Sequence, residues 1–331
     1  MESCSVSRFR ILSLDGGGIK GTFTAAFLAE VEAMTKTRIY KHFDLITGTS
    51  TGGIIAIALG LGVPASEILD FYVKKGPEIF PAIGIKKQSQ HALRWLFRTK
   101  YSQTALLNAI SSVTGNRKLG ESKVRLVIPS FNAVNGNVHL FKTSHHPRLR
   151  RDYLRPAVEV ALATSAAPTY FPAFIGDDGL ACIDGGIWSN CPAAVGVIEA
   201  ISVLGQNLND IEMLSIGTTD SPCHVSEKRR RKGGVLRWGL GSKDLIALFM
   251  QAQAKASIAQ AKVMLNVNEH PERFHRIDEQ VAPNRFQMDN ADSIPDLRAL
   301  GAEVGRHQAS VIDRHFLNEE AKSFVPCHPL P

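Results

Sequence analysis

The chain has 331 residues, of which 44% are hydrophobic, enough for one large α/β domain or for a core with an appended helical part. Its net charge of +7 favours acidic partners such as anionic lipid surfaces, nucleotides and nucleic acids. No run of 18 apolar residues occurs and Met1 to Arg10 lacks the apolar centre of a signal peptide, so a cytoplasmic protein is expected. The cysteines Cys4, Cys182, Cys191, Cys223 and Cys327 are odd in number and unpaired in spacing, which suits a reducing compartment. Cys182 and Cys191 read as buried small hydrophobes rather than a bridge. With no HExxH, EF-hand or paired CxxC pattern, neither a metal nor a cofactor is expected.

Phe9 to Leu14 reads as a short buried strand that runs into Asp15-Gly16-Gly17-Gly18-Ile19-Lys20-Gly21 and then a helical stretch, Thr22 to Met34. Three successive glycines leave their backbone N–H groups unobstructed. At the start of a helix such donors make an anion site, for a phosphate or for the oxyanion of an acyl intermediate. Gly16 to Gly21 also matches the dinucleotide pattern GxGxxG, but Glu30 and Glu32 fall inside the helix rather than at the end of a second strand.

The next apolar run, Phe43 to Thr47, leads into Gly48-Thr49-Ser50-Thr51-Gly52 and an apolar helical run, Gly53 to Gly62. GxSxG between a strand and a helix is a nucleophile elbow in its required context. Ser50 is the candidate nucleophile, and Gly48 and Gly52 let strand and helix approach closely. After an interruption at Pro77 to Gly84, His91 to Arg98 combines Leu93, Trp95, Leu96 and Phe97 with basic residues, as a lid, a lipid-contacting helix or an ordinary packed helix would.

Val124 to Phe131 reads as another strand, and Arg148, Arg150, Arg151 and Arg155 form a basic cluster after it. The short apolar run Leu180 to Ile183 is followed by Asp184-Gly185-Gly186, placing a carboxylate at a strand end where two glycines allow another loop to approach. A strand at Ile211 to Gly217 precedes Lys228-Arg229-Arg230-Arg231-Lys232, Gly233-Gly234, and then Val235, Leu236, Trp238 and Leu240. Basic residues joined to apolar ones suit a membrane interface, the alternative being a solvated loop. Asp244 to Leu265 is expected as a core helix through Leu245, Leu248, Phe249 and Ala252, Leu297 to Phe316 as a last helix, and Pro326 to Pro331 as a frayed tail.

Strands alternating with helices predict a three-layer α/β/α fold with a mainly parallel central sheet. One domain is expected, with residues 8–220 as a catalytic core and residues 221–331 as a basic loop and helices packed on it. All three motifs follow predicted strands, so one crevice at the strand ends could gather them.

The order DGGGIKG, GTSTG, DGG, with Ala163-Thr164-Ser165-Ala166-Ala167-Pro168-Thr169-Tyr170-Phe171-Pro172 ahead of the last, resembles the patatin-like phospholipase family from Phe9 to about Thr219. The resemblance implies Ser50 as nucleophile, Asp184 as its base in a dyad, and the amides of Gly16, Gly17 and Gly18 as an oxyanion hole. Gly21, Gly48, Gly52, Gly185 and Gly186 complete the motifs. Lys20 stands where the family often has arginine; it keeps the charge for a substrate-binding role but loses the bidentate fork.

The resemblance extends to bacterial antiphage effectors that degrade membrane when a cyclic dinucleotide binds. The resemblance implies a cyclic dinucleotide activator; the other expected partners are a phospholipid surface at the inner face of the membrane and a second copy of the chain in a homo-oligomer, with no nucleic acid. Two other functions stay open, a nonspecific carboxylesterase on soluble esters and a noncatalytic nucleotide or nucleic-acid sensor. A Ser/Asp/His triad is the alternative chemistry, since His224, His270, His275 and His307 follow Asp184. His139, His145 and His146 read instead as surface or satisfied polar residues.

Overall fold

The computed structural model describes residues 8–81, 98–221 and 243–331, with residues 227 and 231 between the last two segments. The stretch from His91 to Phe97, most of the basic run at Lys228, the apolar residues from Val235 to Leu240, His224, Cys4 and Cys223 lie outside these described residues.

The first strand, β1 (Phe9–Leu14), is buried at every position, as expected where helices cover both faces of a parallel sheet. Alternation sorts its side chains: Leu12 and Leu14 enter one core with Phe23 and Ile55, whereas Phe9 and Ile11 enter a second with Val197 and Leu265. The same split divides Ile46 from Leu45 on β2 (Leu45–Gly48), and Leu126 and Ile128 from Val127 on β3 (Arg125–Asn132). Two cores on opposite faces make the three layers.

The sheet continues with β4 (Asn137–Lys142), β5 (Phe174–Ile175), β6 (Ala181–Asp184), β7 (Ile211–Ile216) and β8 (Phe274–Ile277). Strands β8, β7, β1, β2 and β3 are parallel in that order, while β4 and β6 run antiparallel to β3. One face carries α1 (Gly21–Thr35), α2 (Thr51–Gly60) and α3 (Ala65–Ile79), together with the helix Ile294–Ile312. The other carries helices Ala193–Ser202 and Lys243–Met264. Gly301 lies against the Phe23 carbonyl and Gly305 against Phe27 and Glu30, so the last helix approaches α1 more closely than side chains would permit.

The register of β3 positions the site. Its residues 130–132 pair with both β4 and β6, and Val127 pairs on the same strand with β4 and next to β2 through Thr47. Since β4 holds one edge throughout, β2 and β6 share the other. They approach along it from opposite directions, β2 reaching Thr47 opposite Val127 and β6 ending at Asp184 opposite Ser130. The gap between their ends falls at Pro129, a residue with no N–H to offer a ladder.

Two expectations are corrected. The tail is held: the Cys327 N–H donates to the Ser144 carbonyl at 2.6 Å and the His328 N–H to Ser144 Oγ at 2.7 Å. Tyr153 stacks on the His328 ring. The helix Lys243–Met264 is not core where Phe249 and Ala252 sit: both are exposed, and among its described side chains burial is complete near its end, at Ala261, and just beyond it at Leu265. Arg148, Arg150 and Arg151 follow β4 in the chain, and Arg155 is paired with Glu159 and Asp178.

Candidate active site

Ser50 begins α2 with φ 54° and ψ −121°, a conformation that a side-chain-bearing residue adopts only when its surroundings enforce it. They do so on both sides. A Cβ on Gly48 would strike the Gly52 carbonyl, and one on Gly52 would strike the Leu14 carbonyl. All of α2 is buried, so the helix cannot retreat to relax the turn. Thr164 fixes the elbow: its hydroxyl accepts the Ser50 N–H at 3.0 Å and donates to the Pro129 carbonyl at 2.6 Å.

Asp184 faces this turn from β6. Ser50 Oγ donates to its Oδ2 at 2.7 Å, and the Gly186 N–H donates to its Oδ1 at 2.6 Å. Burial pushes the Asp184 carboxyl up to about 6, against the two hydrogen bonds, which favour the ionised form. The Asp184 N–H donates to the Ala166 carbonyl and that of Gly185 to Thr164, so the segment ahead of the aspartate loop braces both candidate residues. A hydroxyl held on a carboxylate whose affinity for protons is raised in this way can give up its proton near neutrality.

The glycine loop reaches the same place from β1. Its first residue is anchored below: the Asp15 carboxylate takes both terminal nitrogens of Arg276, at 3.1 and 2.6 Å, and Arg276 also holds Ser215 and Asp278. A buried pair with bidentate geometry and further hydrogen bonds fixes the loop's base. Gly16 does not present its amide to the crevice, because that N–H donates to the Asn190 carbonyl at 2.9 Å. Among the described residues, no acceptor takes the amides of Gly17 or Gly18. Gly18 has φ +59°, and a Cβ there would meet the Met288 carbonyl, which also accepts the Ile19 N–H at 2.8 Å.

Lys20 turns away. Its Nζ donates to the Thr219 carbonyl at 3.1 Å, and it is absent from the cavity wall. Burial lowers its pKa, opposed by Asp278, Asp220 and Asp15. The expected substrate contact through Lys20 is therefore replaced by a structural one. Gly21 leaves room for the Thr51 hydroxyl and the Tyr72 ring, which are hydrogen-bonded to each other.

Ser50, Asp184, Gly17 and Gly18 open into one cavity of about 330 Å³. Ile54, Phe71, Ile79, Phe80 and Phe171 line its depth, and Ile187 and Phe249, 42% and 63% exposed, form an apolar rim. Among the described residues no histidine lines it. His145 is bound to Glu199 and Thr143, and His275 sits on β8 beside Phe316. The dinucleotide reading also loses its acid, since the Glu32 carboxylate accepts the N–H groups of Ile39 and Ala65.

The model of the patatin-like phospholipase family matches residues 12–197, which include all three motifs. The chain belongs to the patatin-like phospholipase family. A cGAMP-activated phospholipase of Pseudomonas aeruginosa is 31% identical to it, covering 85% of this chain and 81% of that one. Another from Vibrio cholerae is 31% identical, covering 91% and 92%. Patatin-like protein 2 of Arabidopsis thaliana is 32% identical, covering 74% and 69%.

Sequence reasoning missed several residues of this patatin-like phospholipase. Thr164 lay within a quoted motif but had no assigned role. Arg276 stands 261 positions from the Asp15 it binds and carries no local signal. Thr164→Val should keep the shape and remove both hydroxyl bonds. We expect ~10-fold to 100-fold lower kcat as the elbow loosens, measured by steady-state kinetics beside a melting curve.

Proposed function

We propose that this phospholipase cleaves fatty-acyl esters of membrane phospholipids through a Ser50–Asp184 dyad and an acyl-enzyme. The observation that carries the reading is the 2.7 Å hydrogen bond from Ser50 Oγ to Asp184 Oδ2 at the mouth of an apolar cavity of about 330 Å³. Such a cavity suits an acyl chain, with the ester carbonyl at the mouth.

In the first step Ser50 Oγ attacks the ester carbonyl while its proton passes to Asp184 Oδ2. The carbonyl oxygen becomes an oxyanion, held by the amides of Gly17 and Gly18. The tetrahedral adduct collapses, the C–O bond to the lysophospholipid breaks, and Asp184 returns the proton to that leaving oxygen. Water then gives a proton to Asp184 and attacks the acyl carbon, and collapse restores the Ser50 hydroxyl and releases the fatty acid.

The scheme needs ionised Asp184. With its carboxyl raised to about 6, kcat/KM should fall tenfold per unit as pH drops below that value and level off above it. A pH–rate profile on a soluble ester checks this.

Residues 8–220 form the proposed catalytic core and 221–331 the part packed on it. The names of the bacterial relatives, cGAMP-activated phospholipases, support activation by cGAMP; membrane degradation in antiphage defence is the role proposed for the activated enzyme. No helix of the described residues is long and apolar enough to cross a membrane, and the exposed rim of Ile187 and Phe249 supports peripheral binding at the inner face. Phe249→Ser should lower hydrolysis of phospholipid vesicles roughly tenfold while sparing a short-chain soluble ester. An equal loss on both substrates, or none on vesicles, would favour a carboxylesterase. Fatty-acid release from vesicles with and without cGAMP tests the activation.

A further inference from the structure

We propose that Gln253, on the helix Lys243–Met264, is a positioning residue that ties the loop of Asp184 to the loop carrying the oxyanion amides. Its Oε1 accepts the Asn190 N–H at 3.2 Å and its Nε2 donates to the Gly186 carbonyl at 2.5 Å. Each backbone partner is itself one bond from the chemistry. The Gly186 N–H holds Asp184 Oδ1 at 2.6 Å, and the Asn190 carbonyl holds the Gly16 N–H at 2.9 Å. A single side-chain amide thus spans the short segment between the base and the glycine loop.

The bridge requires a donor and an acceptor on one rigid plane, which only an amide of this length supplies here. One turn later Ser257 Oγ accepts the Ala194 N–H at 3.1 Å, and three residues earlier Met250 reaches Gly186, so this helical face is seated along residues 186–194. Gln253 also lines the cavity beside Met250 and Phe249. The helix lies beyond the part of the chain that the family model matches, residues 12–197. Motion of the helix along its axis would pull the Gly186 and Asn190 backbone together, changing the aim of Asp184 and of the Gly17 and Gly18 amides at once.

This inference rests on the Ser50–Asp184 reading, and the test separates the two. Besides burial, the groups that bear on Asp184 are the Ser50 hydroxyl and the Gly186 amide, with no other charged side chain among the described residues contributing. Gln253→Ala removes the bridge. Gln253→Glu keeps the shape and the acceptor, loses the donor, and sets a carboxylate against the loop of Asp184.

Wild type, Q253A, Q253E and S50A are compared on a short-chain p-nitrophenyl ester across pH, with melting curves. The expected result is kcat lower by ~10-fold to 100-fold in Q253A with KM little changed. In Q253E the acid limb should move up by about one pH unit through like-charge repulsion. Wild-type kcat in Q253A together with an unmoved acid limb in Q253E would overturn the proposal. Should Q253A fail to fold, Q253E decides alone through the position of its acid limb. Full activity in S50A would instead overturn the dyad reading, whatever the Gln253 variants do.

Discussion

Ser50→Ala is expected to lower phospholipid hydrolysis on the order of a millionfold, since loss of the proposed nucleophile leaves only binding and the oxyanion donors. The fold should persist. The serine contributes one methylene and one hydroxyl at the cavity mouth, and its strained backbone is held by Gly48, Gly52 and the Thr164 hydroxyl, none of which the change touches. A second consequence is electrostatic. Ser50 Oγ donates to Asp184 and favours its ionised form, so without that donor the carboxyl should titrate above its value of about 6 in the wild type. Released fatty acid reports the first effect, and a carbonyl-region infrared titration reports the second.

Asp184→Asn is expected to cost on the order of 10⁴ in kcat while making the protein more stable at neutral pH. The carboxyl titrates at about 6 in the folded chain against an ordinary value of 3.8. A carboxylate raised in this way binds its proton more tightly when folded. Its contribution to stability is therefore greatest below the ordinary value and is lost as pH rises through about 6. The cost of keeping it ionised at pH 8 is on the order of 3 kcal/mol, a figure that asparagine, neutral throughout, removes. The amide also fits the hydrogen bonds: its oxygen can accept the Gly186 N–H and its nitrogen can donate to Ser50 Oγ. Melting curves should show the variant a few degrees above wild type at pH 8 and level with it at pH 4. A variant less stable than wild type at pH 8 would mean that the carboxylate is not raised.

Legibility in the sequence followed the range of the interaction. The elbow was readable because GxSxG lies between a strand pattern and a helix pattern within a few residues of each other. Asp184 was readable for the same reason, as the end of an apolar run followed by two glycines. Their meeting was not, since it depends on β2 and β6 arriving end to end on one edge of β3, which is decided by pairing between distant strands. The mainly parallel sheet was expected; its antiparallel part, β4 to β6, was not. Gly16 was grouped with Gly17 and Gly18 because all three look alike in sequence, and only the position of the Asn190 carbonyl separates them. Lys20 carried the charge expected of a substrate contact, yet two of the three acidic residues that surround it, Asp278 and Asp220, come from distant parts of the chain. Gln253 reads as any polar residue of a helix. Its role comes from the two backbone groups it spans, and no local pattern announces such a bridge.

Ser50 and Asp184 are proposed to hydrolyse membrane phospholipid together. The most direct test is fatty-acid release from mixed phospholipid vesicles by wild type, S50A and D184N, each with and without cGAMP. The wild type should release fatty acid, more so with the nucleotide, and neither variant should release any above background. Release by D184N at the wild-type rate, or none by the wild type under any condition, would contradict this reading.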